Sequence, residues 1–150
     1  MHNYLMFKQL ASPSFTIRTT GLVILDGVPW LADTPGAMEA DPAAGEGIVE
    51  VKCPFTCRDK SLRDAAANPS FCLSVVSEGL SLKTSHTYYY QVQQQMHVTN
   101  CEWADFVVWT LKEMFAQRIA RDRSFSQNIL PKLQDFYFEH LLPALFSEHL

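Results

Sequence analysis

The stretch over residues 47–54, GIVEVKCP, constrains this chain more than any other part of it. Its β-branched residues predict a strand, and the proline at its end predicts where the strand stops. Successive side chains of a strand point to opposite faces, so Glu50 and Lys52 project from one face while Val49 and Val51 point into the core. The sequence therefore predicts a carboxylate and an amine side by side on one strand.

Such a pair has a known chemical use in metal-assisted hydrolysis. The carboxylate of Glu50 would bind a hard divalent cation, and Lys52 would orient or help to deprotonate a water that the cation has acidified. The alternative is an ion pair on a partly exposed strand, because Glu-x-Lys is a common tripeptide. From these residues alone both interpretations stay open.

Length and composition bound the class of protein. The chain has 150 residues, 47% of them hydrophobic, which is enough for one domain with a core. Its net charge of −4 gives no overall basic signature, so any contact with DNA would come from a local patch. The four cysteines and the histidines lack the spacing of a structural zinc site.

The sequence also carries expectations about location. No apolar run reaches membrane-spanning length, and no signal peptide is recognisable. We therefore expect a soluble intracellular protein with reduced thiols and no membrane partner, nuclear if the source is eukaryotic.

The N-terminal third predicts strands. Residues 1–14 have weak periodicity and predict a poorly defined segment, which leaves a single domain over residues 15–150. Residues 15–53 contain β-branched runs separated by turn signals, and they predict a curved antiparallel meander whose first strand covers residues 15–25.

The remainder alternates helices and strands. The patterns predict a helix over 58–67, a hairpin of 71–76 with 80–83, a helix over 86–98, strands over 103–111 and 115–119, and an amphipathic helix from Ser124 toward Leu142 that Pro143 interrupts. This order predicts an α/β or α+β fold with a mixed sheet.

Four blocks of sequence resemble a known family. PWLADTPG, GIVEVKCPFTCRD, YYYQVQQQMHVT and WADFVVWT follow one another as in the YqaJ-like viral recombinases, which are lambda-exonuclease-like members of the PD-(D/E)XK nuclease superfamily. The resemblance spans roughly residues 20–142. It implies a restriction-endonuclease-like core, with a central mixed sheet flanked by helices. It also implies a Mg²⁺-dependent exonuclease that digests one strand of duplex DNA from a 5′ end.

The resemblance assigns roles to five residues of two blocks. Glu50 matches the metal-binding glutamate, Val51 the residue whose backbone carbonyl is a ligand, and Lys52 the catalytic lysine. Tyr88 and Gln91 match the Y-x-x-Q of the family. At i and i+3 of a helix both reach the same side, so the glutamine can hydrogen-bond near the nucleophilic water or Lys52. For Tyr88, simple aromatic packing is the alternative.

Two further residues match a phosphate-binding pocket. Arg58 matches an arginine that binds the terminal 5′-phosphate, a task that suits a bidentate guanidinium. Thr34 stands where the family has a small hydroxyl residue that faces the same phosphate. The alternative for Arg58 is a solvated residue in the first turn of a helix.

The chain departs from the family at the metal site. The family has S-P-D-G, and its aspartate bridges the metal ions, whereas this chain has Gly36 at that position. Asp33 could substitute only if the turn is rebuilt. No acid precedes Asp26, so we also expect the family's acid-bearing N-terminal helical part to be missing. Since Glu50 alone cannot supply the carboxylates that Mg²⁺ or Mn²⁺ requires, we expect weak or absent binding.

Two functions follow, and both stay open. The chain could be the exonuclease domain of a viral or mobile-element recombinase that acts in DNA recombination and repair on double-stranded DNA ends, impaired by Gly36. Alternatively, it is a non-catalytic degenerate or truncated relative that keeps the fold as a DNA- or protein-binding module. The resemblance also suggests a homo-oligomer and a single-strand annealing protein as a partner. An unrelated α+β domain with no DNA role is a third possibility.

Overall fold

The computed structural model describes residues 2–147 of the chain. Five strands follow the first helix, and the later helices separate two pairs of strands before the last helical segment. In chain order they are α1 (His2–Ala11), β1 (Thr16–Arg18), β2 (Val23–Ile24), β3 (Ala32–Asp33), β4 (Ala37–Asp41), β5 (Gly45–Lys52), a 3-10 turn (Phe55–Cys57), α2 (Leu62–Ala66), β6 (Leu73–Val76), β7 (Gly79–Leu82), α3 (Thr87–Thr99), β8 (Trp103–Trp109), β9 (Met114–Ala120), α4 (Arg123–Phe136), a π-helical turn (Tyr137–Leu141) and α5 (Leu142–Ser147).

A five-stranded mixed sheet forms the centre of the fold. The strand order is β1-β4-β5-β8-β9, and β5 pairs with β8 in parallel while every other pair is antiparallel. Parallel neighbours need a long crossover, and here α2, the β6–β7 hairpin and α3 supply it. The predicted mixed sheet flanked by helices is confirmed.

The two faces of this sheet are covered differently. Alternation along β5 sends Ile48 to the face that packs against α2, the β6–β7 hairpin and α3, together with Phe106 and Val108 of β8. Val49 points to the opposite face, where Tyr4 of α1 is buried. Glu50 and Lys52 share the face of Ile48, so the pair lies on the α3 side of the sheet.

The strands of the meander predicted over residues 15–53 are antiparallel as expected, but the first of them is not continuous. Strands β1, β4 and β5 are antiparallel neighbours, but residues 15–25 do not form one strand. Instead, β2 leaves the main sheet and pairs only with β3. The turn between them contains Gly27 with φ +72°, a backbone conformation that suits glycine, and the small hairpin contacts α3.

Weak periodicity predicts a poorly defined segment over residues 1–14, but residues 2–11 form α1. This helix contains no acidic residue. It is fixed by polar contacts to the sheet, where Tyr4 Oη donates to Asp105 Oδ2 at 2.6 Å and Lys8 Nζ donates to the same oxygen at 2.8 Å.

The segment after β5 forms less helix than predicted. Residues 58–67 were expected to be helical throughout, whereas the structure has the 3-10 turn and then α2. The helix begins late because Ser61 caps it, its side chain accepting a hydrogen bond from the Asp64 N–H at 3.1 Å. Arg58 therefore ends the 3-10 turn and is not in the first turn of a helix.

The last helical segment runs further than predicted, and Pro143 does not interrupt it. It begins at Arg123, includes Pro131 and continues through the π-helical turn into α5 as far as Ser147. The wider turn directly before Pro143 changes the hydrogen-bond pattern where the proline has no N–H to donate. Within residues 2–147, no helix has the length and apolar character needed to cross a membrane.

Candidate active site

The centre of the site is Glu50, near the end of the central strand β5. Its neighbours are β4 on one side and β8 on the other, where Phe106 is its register partner. Helix α3 crosses above this point and is fixed at both ends. His86 caps its start by accepting the Tyr88 N–H through Nδ1 at 3.1 Å, and Asn100 ends it in the left-handed conformation at φ 56°. Glu50 is only 8% exposed, so its carboxylate depends on protein donors.

Glu50, Lys52, Tyr88 and Gln91 lie in contact on the α3 side of the sheet. Lys52 Nζ donates to Glu50 Oε1 at 2.6 Å and to Gln91 Oε1 at 2.8 Å. Gln91 Nε2 in turn donates to Glu50 Oε1 at 3.2 Å. Lys52 Nζ also lies 4.5 Å from the centre of the Tyr88 ring, within the range of a cation–π interaction. Helix α3 therefore fixes the geometry of the Glu50–Lys52 ion pair.

Tyr88 combines this contact with packing. Its ring lies 4.7 Å from that of His86 and 6.1 Å from that of Phe106, measured between centres. The two interpretations of Tyr88 are thus compatible, since one face of the residue packs and its π-system also meets the amine of Lys52.

Gln95 belongs to the site, and sequence reasoning assigned it no role. Its Nε2 donates to Glu50 Oε2 at 3.0 Å and to the Thr34 carbonyl at 3.4 Å. The side chain is 0% exposed, and its Oε1 has no hydrogen-bond donor among the described residues. The available signal was its position four residues after Gln91, which places both on one helix face.

The Glu50 carboxylate accepts hydrogen bonds from four groups. Lys52 and Gln91 donate to Oε1, while Gln95 and the Gly36 N–H, at 3.2 Å, donate to Oε2. A carboxylate offers about four lone-pair positions, so this set is full. One of the four donors is thus the backbone N–H of Gly36, the position at which the resemblance implies an aspartate.

The family's metal-ligand set does not fit these residues. Gly36 supplies no carboxylate, and the oxygens of Glu50 are already taken by N–H donors. The residues described contain no cluster of three or more histidine, cysteine, aspartate or glutamate side chains that could hold a metal ion. Val51 turns its side chain to the α1 face, and the role of its carbonyl as a ligand stays a prediction.

Asp33 lies at the edge of the site. Burial raises the pKa of its carboxyl group, and the negative charge of Glu50 raises it further. Hydrogen bonds from the Thr34 N–H, at 2.8 Å, and from the amides of Gln95 and Gln94 act in the opposite direction. Asp33 and Glu50 therefore influence each other electrostatically. Thr34 meets the site through its carbonyl, which accepts from Gln95.

Arg58 stands apart from this network. Its guanidinium lies 3.9 Å from the centre of the Phe55 ring, and its Nη1 donates to the Phe55 carbonyl at 3.0 Å. Its Nε is 3.4 Å from Asp59 Oδ2. Within residues 2–147 no hydrogen bond or ion pair connects Arg58 to Glu50 or Lys52. The Phe55 ring is 73% exposed and lies three residues after Lys52.

A family profile matches this part of the chain. The family described as the YqaJ-like viral recombinase domain matches residues 11–102, which include β1 to β7 and all of α3. The chain belongs to this family. The match contains Glu50, Lys52, Tyr88, Gln91 and Gln95, and also Gly36.

Solved structures agree on the fold. The crystal structure of an alkaline exonuclease, LHK-Exo, from Laribacter hongkongensis is similar with a TM-score of 0.67 and 19% sequence identity, over 99% of this chain and 69% of that one. The structure of LHK-Exo in complex with dAMP gives a TM-score of 0.68 at 19% identity, over 99% and 68% of the two chains. No curated protein sequence matches this chain.

Proposed function

We propose that this YqaJ-like chain binds the ends of double-stranded DNA and hydrolyses them poorly, as an impaired exonuclease domain. The observation that carries the proposal is the site at Glu50. The chain keeps Lys52, Gln91 and Tyr88 in contact with the strand glutamate, yet a glycine N–H faces that glutamate where the family has a carboxylate.

In this proposal Lys52 is the group that meets the scissile phosphodiester or its attacking water. Glu50 and Gln91 hold its amine by two short hydrogen bonds, and the Tyr88 ring limits its movement. An amine fixed in this way costs little reorganisation when it donates to a water or a phosphate oxygen. With the family's ligand set incomplete, slow hydrolysis is the expected result.

The DNA end would be held by the turn that follows β5. Arg58 is proposed to bind a terminal 5′-phosphate through the guanidinium edge that it does not use for the Phe55 carbonyl. Thr34, on the β3–β4 connection, stays a candidate for the same phosphate. The dAMP in the LHK-Exo complex supports a nucleotide as ligand of this fold. A homo-oligomer, a single-strand annealing partner and an intracellular or nuclear location stay predictions.

Binding to DNA ends tests the proposal most directly. Fluorescence anisotropy in EDTA should give tighter binding to duplex DNA with 5′-phosphates than to the same duplex with 5′-hydroxyls. Arg58→Ala should remove this difference, whereas Arg63→Ala, an exposed arginine on α2, should keep it. Equal affinity for both ends in the wild type would refute end binding through a phosphate.

Hydrolysis is measured separately, as acid-soluble nucleotides released from the phosphorylated duplex. Slow release that Lys52→Ala abolishes would support the impaired enzyme. Release that is fast would contradict the impairment. End binding without Lys52-dependent release would instead support the alternative, a non-catalytic DNA-binding relative.

A further inference from the structure

The turn between β8 and β9, residues 110–113, is held by its own hydrogen bonds. Thr110 is 1% exposed, and its Oγ1 accepts the N–H groups of Lys112 at 3.2 Å and of Glu113 at 3.1 Å. The N–H of Thr110 donates to the Glu113 carbonyl at 2.9 Å. Leu111 and Lys112, at the tip of the turn, are exposed. The turn therefore presents these two side chains to solvent on a fixed backbone.

The same turn anchors the segment that carries Arg58. The Leu111 N–H donates to the Arg58 carbonyl at 2.9 Å. Glu113 Oε1 accepts the N–H of Leu62, the first residue of α2. The first N–H groups of a helix lack partners within the helix, so this carboxylate satisfies one of them. The segment is thus attached to the turn at both ends, and Lys60 lies exposed between the two contacts.

Two exposed lysines are therefore brought to one surface. The acidic side chains beside them have other partners, because Glu113 accepts from the start of α2 and Asp59 Oδ2 lies 3.4 Å from Arg58 Nε. In the part of the chain that the structure describes, neither Lys60 nor Lys112 forms an ion pair. Like charges on one surface repel each other, so this group of cations in a chain of net charge −4 favours an anionic partner.

We propose that Lys60 and Lys112 form a duplex-backbone site, which binds internal phosphates of the DNA behind the end that Arg58 holds. A duplex bound at its terminal phosphate continues as a backbone with one negative charge at every phosphate, and the two lysines belong to the elements directly attached to Arg58. This inference rests on the proposed function, because it extends the same DNA contact away from the terminal phosphate. The site reads no base, so its contribution is independent of DNA sequence and of the chemical group at the 5′ end.

Salt dependence measures these contacts without hydrolysis, since each neutralised phosphate releases bound counterions. Fluorescence anisotropy in EDTA, from about 50 to 200 mM NaCl, gives the slope of log K against log salt concentration. The probe is a duplex closed at both ends by hairpin loops, which offers no 5′ end. Lys112→Ala should make this slope shallower by about 1, and Lys60→Ala/Lys112→Ala by about 2.

Open duplexes give a second readout. Lys112→Ala should weaken binding to 5′-phosphorylated and to 5′-hydroxyl duplexes by the same factor, whereas Arg58→Ala should remove the difference between them. The matched control is Lys132→Ala, which removes the same charge from an exposed lysine on α4 and should leave the slope unchanged. The urea midpoint of Lys112→Ala should equal that of the wild type, because the side chain is exposed and forms no ion pair.

Three results would overturn the proposal. The first is a wild-type chain that does not bind the closed duplex, or whose slope is unchanged by Lys112→Ala. The second is a loss confined to the 5′-phosphorylated duplex, which would assign Lys112 to the end pocket. The third is displacement of the closed duplex by polyglutamate as effectively as by unlabelled DNA of equal charge, which would assign the surface to an acidic protein. Equal wild-type affinity for both kinds of open end refutes only end binding, so the two failures remain distinguishable.

Discussion

The Gly36 N–H donates to Glu50 Oε2 over 3.2 Å, at the position where the resemblance to the family implies an aspartate. A backbone N–H at this position stabilises the charge of Glu50, whereas a second carboxylate here would repel it unless a cation lay between them. Because Glu50 is buried, loss of this donor would cost stability, since few waters could replace it. The backbone at Gly36 is therefore part of how the site is stabilised.

Restoring the carboxylate with Gly36→Asp should carry a cost in stability. Gly36 does not have a positive φ, so backbone strain at this residue is not the obstacle. A Cβ at this position would lie 2.7 Å from the Val49 carbonyl oxygen, which forces the backbone to shift. We expect a loss of about 1–3 kcal/mol in the free energy of unfolding, as for other overpacked sites. Urea denaturation measures it.

Gly36→Ala is the matched control for that variant, because it adds the same Cβ without the charge. It should lose similar stability. Only Gly36→Asp should gain nuclease activity, partial and most visible with Mn²⁺, and Lys52→Ala should remove the gain. Activity in Gly36→Ala would show that the carboxylate is not the missing group.

Lys52 and Glu50 should be strongly coupled in stability. Lys52→Met leaves a buried carboxylate with amide donors but without its cation, and removal of one partner of a buried pair costs about 3–5 kcal/mol. The double variant Lys52→Met/Glu50→Gln should be more stable than Lys52→Met alone. A double-mutant cycle in urea gives the coupling energy, for which we expect about 1–3 kcal/mol. Additive effects would mean that the pair contributes no interaction energy.

Stability should fall between weakly acidic and alkaline pH because of Glu39, on the opposite face of the sheet. Burial and the charge of Asp105 raise the pKa of Glu39 to about 8. Glu39 is 1% exposed, and no group within residues 2–147 donates a hydrogen bond to either of its carboxylate oxygens. The folded state therefore holds a proton that the unfolded chain releases near pH 4.5. This contribution is fully present below pH 4.5 and is lost as the pH rises through about 8.

Glu39→Gln should flatten this dependence and be more stable than the wild type above pH 8. The other charged groups of that face, Lys8, Arg118 and Asp105, are unchanged in this variant. Although burial alone would raise the pKa of Asp105, hydrogen bonds from Arg118 and Lys8 lower it. Its stabilising contribution is therefore lost only as the pH falls below 3.8. Thermal unfolding from pH 3 to 9 compares the wild type with Glu39→Gln. Parallel curves of stability against pH would contradict the role of Glu39.

The sequence predicts the site where the relevant spacing is local. Glu50 and Lys52 follow from the period of a strand, and Tyr88 with Gln91 from the period of a helix. The position of α3 relative to the sheet is not a local property, and it is what brings Gln95 to Glu50, so the sequence alone gave Gln95 no role. Helix α1 was missed for the same reason, since Tyr4 meets Asp105, 101 residues away.

The last prediction concerns Phe55, whose exposed ring stacks on the Arg58 guanidinium at the exit of β5. An exposed aromatic ring costs stability little to remove, but it offers a face on which an unpaired base can stack. Phe55→Ala should leave the unfolding free energy within about 0.5 kcal/mol of the wild type. It should weaken binding to a 5′-phosphorylated duplex with a single-stranded tail by about 1–3 kcal/mol, measured by fluorescence anisotropy. Phe146→Ala, an equally exposed phenylalanine on α5, should leave that affinity unchanged. If both variants bind the tailed duplex as well as the wild type does, the ring at position 55 does not contact the DNA.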